Sequence, residues 1–176
     1  MKKIIIILLA LLSIVFTYNN SKKEEDVKIP DAAIRFRVLA NSNSPRDQKI
    51  KEDVRDKMQK ELYDLLKNAK SINEARVLIN DKITYFNDLV GDVVKDEDYS
   101  YTIDYGIHEF PEKKYKGVTY DAGYYESLLV TLGDGKGDNW WCVLFPPLCL
   151  IEAEEETDSS KVEYKSFIKE IIEKYF

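Results

Sequence analysis

Histidine and cysteine are scarce in this chain of 176 residues, which has one histidine and two cysteines. Cys142 and His108 could supply the nucleophile and base of a papain-like hydrolase. However, Cys142 lies in an apolar run, where a thiolate is poorly solvated, and no local motif supports the pair. One histidine and two cysteines also cannot assemble a Cys/His zinc cluster. The sequence therefore predicts no catalytic residues, no metal site and no cofactor.

The two cysteines, Cys142 and Cys149, have a second interpretation. Six residues separate them, which in an oxidising, exported setting allows a disulfide that closes a small loop around Pro146 and Pro147. The alternative is that both are buried thiols that act as small apolar residues of the core. The sequence leaves both interpretations open.

A glycine-rich segment, Gly133-x-Gly135-x-Gly137, precedes two tryptophans. It lacks the Gly-Lys-Ser/Thr ending of a phosphate-binding loop, and no helix start follows that would direct amide groups at an anion. We therefore interpret the segment as a turn that leads into the next strand.

Four carboxylates are interspersed with four basic residues along the first predicted helix. This spacing favours ion pairs on a solvated helix face over acid–base chemistry. The residues are Asp47, Glu52, Asp53 and Asp56 with Arg46, Lys51, Arg55 and Lys57.

The apolar run at residues 140–148 is the strongest candidate for partner binding. Pro146 and Pro147 cannot donate to a sheet ladder, so this piece is confined to an edge or a loop. A stiff, aromatic loop that cannot be fully buried is typical of a docking surface, and the alternative is a core strand. The candidate partner-binding residues are Trp140, Trp141, Phe145, Pro146 and Pro147.

A second candidate contact comes from the alternating sequence of residues 34–39. Its period of two predicts a half-buried strand with Arg35 and Arg37 on one solvated face, opposite the apolar side chains. Two like charges on such a face could meet an acidic partner surface, and the alternative is that they only provide solubility.

The predicted elements belong to an α+β fold in a single domain. Strands interrupted by helices without a βαβ rhythm indicate a mostly antiparallel sheet that is covered by helices on one face. Helices are predicted at residues 45–67, from a Ser71 cap to a Gly91 end, and at 162–176, with Ser44 capping the first of them. Strands are predicted at residues 34–39, 99–107, 115–120, 125–132 and from 140 onwards.

The amino terminus predicts export. A Lys2-Lys3 pair precedes thirteen mostly apolar residues, 4–16, which as a helix reach roughly 20 Å and so fall short of a bilayer core of ~30 Å. That length suits a secretory signal, but no A-x-A cleavage pattern follows, so an uncleaved anchor remains open. We divide the chain into a signal peptide or anchor (1–21), a charged linker (22–29), the α+β domain (30–151), and an acidic linker with a C-terminal amphipathic helix (152–176).

The charge balance argues against nucleic acid as a partner. The formal net charge is −6 at pH 7, whereas a protein that displaces counter-ions from phosphates needs a concentrated basic face. The hydrophobic fraction of 44% and charged fraction of 33% are instead those of a folded, soluble domain.

Two stretches resemble the signatures of the stage II sporulation protein R (SpoIIR) family. The first comprises residues 34–44, 47–48 and 54–56. The second comprises residues 120–128 and 132–149, including the run Asn-Trp-Trp-Cys-Val-Leu-Phe-Pro-Pro-Leu-Cys. Small departures occur at Phe36, Leu39, Asn43 and Asp121, the last of which replaces a usual proline and affects the expected local turn.

The resemblance implies a signalling protein and not an enzyme. Proteins of this family are made in the forespore and exported into the space between the forespore and mother-cell membranes. There they activate the membrane-embedded aspartic protease SpoIIGA, which processes the sigma factor E precursor. The implied membrane contact is only through the amino-terminal segment. The rival hypotheses are a secreted cell-wall hydrolase, suggested by Cys142, His108 and export, and a structural envelope protein, suggested by an uncleaved anchor.

Overall fold

The computed structural model describes residues 32–115, 118–148 and 161–175. The predicted export segment, the two linkers and Cys149 therefore lie outside the described residues. The elements are β1 (Ile34–Leu39), α1 (Pro45–Leu66), α2 (Ile72–Asp81), α3 (Ile83–Val94), β2 (Tyr101–Phe110), β3 (Lys113–Tyr115), β4 (Val118–Tyr120), β5 (Gly123–Leu132), β6 (Asn139–Phe145) and α4 (Lys161–Tyr175).

These elements confirm the predicted α+β class. Four strands form one sheet in the order β2-β5-β1-β6, and β3 and β4 form a separate hairpin. The pairs β2–β5 and β1–β6 are antiparallel, whereas β1 and β5 run parallel. The sheet is thus mixed. Between β1 and β5 the chain passes through three helices, β2 and the β3–β4 hairpin, and this long connection lets β5 run parallel to β1. Within the described residues, none of the helices combines the length and hydrophobicity that crossing a membrane needs.

The three consecutive helices cover one face of the sheet and enclose the larger core. Ser44 caps α1 by accepting from the Asp47 amide at 3.1 Å, and Pro45 occupies the first turn, as predicted. Alternate residues of the strands meet the apolar stripes of the helices on this face. The buried contributors include Phe36, Val38, Val54, Met58, Leu62, Phe86, Val90, Leu128, Val130 and Leu144.

The prediction of one continuous second helix is wrong. The chain breaks at Lys82, whose φ and ψ are −105° and 4°, so α2 and α3 are separate helices. Gly91 lies inside α3 and does not end it. An added Cβ there would approach the Tyr101 hydroxyl oxygen to 2.7 Å, and that hydroxyl donates to the carbonyl of Asn87 at 2.9 Å. Gly91 therefore permits a close helix–strand contact.

A second, smaller core lies on the opposite face of the sheet. Phe110, at the end of β2, packs edge-on against Trp141 of β6 at 5.3 Å, although β5 and β1 separate their strands. The end of the β2–β5 pair must therefore curl over the sheet. The hairpin β3–β4 and helix α4 close this side through buried apolar residues. They are Val118, Tyr120 and Ile168, packed with Ala33, Tyr125, Val143 and Leu148.

Candidate functional site

Most of the aromatic run that the sequence proposed as a docking loop is core. Trp141 and Phe145 expose only 4% and 1% of their surface, and Pro146 is also buried. The predicted exposure of these three residues is therefore wrong. Phe110 of the curled β2–β5 pair packs against Trp141, and Tyr175 of α4 packs against Phe145 at 5.1 Å. Trp140 and Pro147 are half-buried. Trp140 packs edge-on against Phe36 at 5.7 Å, so it too has an intramolecular partner.

The predicted solvated face of β1 is also covered. Arg35 and Arg37 share one face as expected, but Arg35 is only 1% exposed. Its guanidinium carbon lies 3.4 Å from the ring centroid of Tyr125, 4.8 Å from that of Trp141 and 5.1 Å from that of Phe110. The prediction of a solvated Arg35 is wrong, since these rings fold over it and replace water with cation–π contacts.

Two further cations border the same aromatic cluster. The Arg37 guanidinium carbon lies 5.2 Å from the Phe110 ring centroid, and Arg37 donates to the carbonyl of Glu109 at 2.6 Å. Burial lowers the pKa of Arg37 from its usual value. The Lys113 ammonium lies 4.9 Å from the Trp141 ring centroid and donates to the Trp141 carbonyl at 3.1 Å. Arg35, Arg37 and Lys113 therefore all contact the aromatic rings of the smaller core.

Cys142 and His108 do not form a catalytic pair. Cys142 is buried in the larger core on the helix side and is disulfide-bonded. His108 lies on the other face of the sheet, where it contacts Ser127. A disulfide sulfur on one side of a sheet cannot serve as a nucleophile for a base on the other. Because Cys149 lies outside the described residues, its pairing with Cys142 stays a prediction.

His108 instead joins two side chains in an arrangement that sequence spacing did not suggest. Its Nδ1 lies 2.7 Å from the Ser127 hydroxyl, and its Nε2 lies 2.8 Å from Oδ2 of Asp104. The three residue types are those of a serine hydrolase, but Ser127 is fully buried in the middle of β5. A substrate carbonyl could not reach that hydroxyl, so the group does not have the geometry for acyl transfer. The sequence does not predict this group, because only the β2–β5 register brings His108 and Ser127 together.

The glycine-rich loop is a structural clamp on the loop after β1. Gly133 and Gly135 have φ of 54° and 63°, a region that favours glycine. The amides of Lys136 and Gly137 donate to the carbonyls of Asn41 and Ala40, at 3.2 and 2.9 Å. These bonds confirm the prediction of a turn, but the turn also binds residues almost a hundred positions earlier in the chain.

Side chains reinforce this clamp. The amide of Asp134 donates to Oδ1 of Asn41 at 3.0 Å, and the amide of Asp138 donates to Oδ1 of Asn43 at 2.6 Å. The two stretches that resemble one family therefore meet at one end of the sheet. Asn41, Asn43 and Gly137 form this contact.

Asp47 belongs to the same end of the molecule and not to a solvated helix face. It is 6% exposed, and its Oδ2 accepts from the Asn41 amide at 3.0 Å and from the Ser42 hydroxyl. The hydrogen bond from Ser42 contributes most to holding the pKa of Asp47 below its usual value. Burial, with the negative charge of Asp47, raises the pKa of Tyr99 to about 12. Within the predicted ion-paired face, Arg55 bonds Asp56 at 2.7 Å, whereas Asp53 bonds Lys49, which was not in the predicted set, at 2.8 Å.

A polar network joins the helices to the sheet. Arg76 of α2 makes a forked contact with Glu126 of β5, with its Nε and Nη2 at 2.9 and 2.7 Å from the two carboxylate oxygens. The Tyr105 hydroxyl donates to Glu126 at 2.6 Å. The bond from Arg76, followed by that from Tyr105, lowers the pKa of Glu126 despite its partial burial.

In the part of the chain that the structure describes, no group of three or more acidic, histidine or cysteine side chains is placed to hold a metal ion.

The clamp predicts that substitution by alanine destabilises the protein more at Gly137 than at Gly106. A Cβ at Gly137 would lie 2.3 Å from the backbone oxygen of Ser42, so Gly137→Ala forces the two loops apart. We expect this variant to lose about 2 kcal/mol of unfolding free energy, as in overpacked sites. Gly106→Ala is the control, because its nearest neighbour, Oδ2 of Asp104, lies at an ordinary 3.5 Å. Urea unfolding of both variants is the measurement, and equal stability would contradict the clamp.

The Glu126 network predicts a pH-dependent stability. Because the pKa of Glu126 is lower in the folded than in the unfolded state, its contribution is complete above the unfolded value and is lost as the pH falls through the folded value. We expect Glu126→Gln to cost about 1 kcal/mol at pH 7, reduced by solvent screening since Arg76 is 39% exposed. The difference from wild type should shrink below about pH 4.

The control for this network is Asp53→Asn, which removes an exposed helical ion pair that solvent screens, so its effect on stability should be small at both pH values. Chemical unfolding at pH 7 and at pH 3 measures both variants. A Glu126→Gln cost that is the same at both pH values would show that the carboxylate charge contributes nothing.

Known proteins are similar to this chain over most of its length. The family model described as stage II sporulation protein R matches residues 30–155. The protein named stage II sporulation protein R of Bacillus subtilis (strain 168) is 38% identical over 162 residues, which cover 86% of this chain and 72% of the relative. No solved structure matches the chain. The matched residues contain the clamp, the aromatic cluster and all six strands. The chain belongs to the stage II sporulation protein R family.

Proposed function

We propose that the chain is an exported signal of endospore formation that activates the membrane-embedded aspartic protease SpoIIGA and thereby triggers processing of the sigma factor E precursor. It acts in the space between the forespore and mother-cell membranes. The observation that carries this proposal is the family match over residues 30–155, which includes the whole sheet and the helices α1–α3. The proposal takes the partner and the compartment from the family resemblance.

The geometry supports a binding role over the rival hydrolase. Cys142 and His108 lie on opposite faces of the sheet, and Ser127 is buried away from any substrate. An activator needs a firm surface that a partner can recognise, and it needs no reactive group. The clamped loops and the two cores on either side of the sheet provide such a firm scaffold.

Co-expression of the chain with the protease and the sigma precursor in a non-sporulating bacterium tests the proposal. We expect an immunoblot to show the shorter form of the precursor when the full chain is present, because the activated protease cleaves it. Ile6→Asp with Leu9→Asp should abolish conversion, because each charge costs ~3 kcal/mol at the membrane centre and blocks export. Ile6→Val with Leu9→Ile is the matched control and should convert normally.

Two outcomes would contradict the proposal separately. An intact precursor in the presence of the exported chain would exclude protease activation. Full conversion by the variant with two aspartates would show that the chain does not act from outside the cytoplasm.

A further inference from the structure

The two edges of the four-stranded sheet differ in how well they are protected. The edge strand β6 shows a register shift against β1 next to Arg35 and runs directly into Pro146 and Pro147. Its Trp141 carbonyl already accepts from the Lys113 ammonium. Bulges, prolines and lysines are the usual means by which proteins prevent another strand from pairing with an edge. The β6 edge is therefore blocked.

The other edge strand, β2, has none of these protections. It pairs with β5 in an unbroken register over ten residues, and among the described residues it has no second strand neighbour. It contains no proline, lysine or arginine, and Phe110 is its only buried residue. Roughly half of the backbone groups of an edge strand point away from its neighbour. The Glu109 carbonyl is occupied by Arg37, so the open stretch is residues 101–108.

Exposed apolar side chains lie beside this open stretch. Ile107 is 66% exposed and Tyr124 is 72% exposed, the two largest exposed fractions among the large apolar side chains of the described residues. Ile107 pairs with Glu126, and Glu109 pairs with Tyr124, so Ile107 and Tyr124 are diagonal neighbours on the same face. An added strand would therefore find an apolar contact on this face.

The opposite face of β2 carries one exposed carboxylate, that of Asp104. The Asp104 side chain is 70% exposed, and its neighbour His108 is the only titratable group that contacts it in the described structure. Glu109 at the end of the strand is also exposed, but it lies on the same face as Ile107. Because successive side chains of a strand alternate between faces, an incoming strand with alternating apolar and basic residues would match both faces at once.

We propose that the outer edge of β2 is a docking site for an extended segment of a partner protein, which joins the sheet as a fifth strand. The segment has alternating apolar and Lys/Arg side chains, with the apolar ones against Ile107 and the basic ones against Asp104. Backbone hydrogen bonds supply the affinity and the side chains the selectivity. Pairing of β2 with β2 of a second copy is less favourable, since it brings acidic strands together. Where the proposed function holds, this edge is the surface that the partner recognises.

A peptide experiment tests the site without depending on the protease. The probes are the synthetic peptides Lys-Val-Lys-Val-Lys-Val-Lys and Glu-Val-Glu-Val-Glu-Val-Glu, added to the purified folded chain. We expect the lysine peptide to slow amide hydrogen exchange in residues 101–108 and the glutamate peptide to bind at least tenfold more weakly. Asp104→Lys should reverse this preference.

Matched variants separate the edge from the rest of the surface. Ile107→Lys should weaken binding of the lysine peptide at least tenfold. Val77→Lys should change that binding less than twofold, because Val77 is 59% exposed on α2 and is not part of the sheet. Equal binding of both peptides, or no protection of residues 101–108, would overturn the proposal. Protection that grows with protein concentration in the absence of peptide would assign the edge to a second copy and would also overturn it.

The same variants in the co-expression assay distinguish the two proposals. Loss of precursor conversion with Ile107→Lys but not with Val77→Lys supports the edge as the partner's site. Conversion that is equal for both variants rejects the edge and leaves the proposed function standing. Absence of conversion by the wild-type chain rejects the proposed function, while the peptide result still decides the edge.

Discussion

The burial of the Arg35 guanidinium is the constraint on which much of the structure depends. A charged group removed from water costs several kcal/mol unless its surroundings replace the lost hydration. Three aromatic rings within 5.1 Å of the guanidinium carbon provide part of that replacement. To bring Phe110 and Tyr125 there, the β2–β5 pair has to curl over β1. The hairpin β3–β4 and helix α4 then close the remaining side.

This constraint also explains why distant stretches of sequence act as one unit. Arg35 comes from β1, Tyr125 from β5 and Trp141 from β6, and these three strands are hydrogen-bonded neighbours. At the end of the same strands, the glycine-rich loop binds the carbonyls and side chains of residues 40–43. Polar contacts thus hold one end of the sheet and cation–π contacts hold one face. Among the described residues, the far edge strand, β2, has no second strand beside it.

Local patterns predicted the elements well because local physics determines them. The Ser44 and Ser71 caps and the period-two strands were identified from capping and alternation alone. Tertiary features were not predictable in this way. Alternation placed Arg35 and Arg37 on one face correctly, but it could not show that Tyr125 and α4, far along the chain, cover that face. Other elements also bury Trp141, which packs against Phe110, and Phe145, which packs against Tyr175 in the larger core. The break at Lys82 carries no proline or glycine signal.

A double-mutant cycle between Arg35 and Tyr125 tests the central claim most directly. Arg35→Met removes the charge while keeping an apolar side chain, and Tyr125→Leu removes the ring. Urea unfolding of both single variants and the double variant gives their coupling free energy. The account predicts a coupling of about 2 kcal/mol, as expected for a desolvated cation–π pair. Additive effects, with a coupling below roughly 0.3 kcal/mol, would show that the aromatic cluster does not stabilise the buried charge.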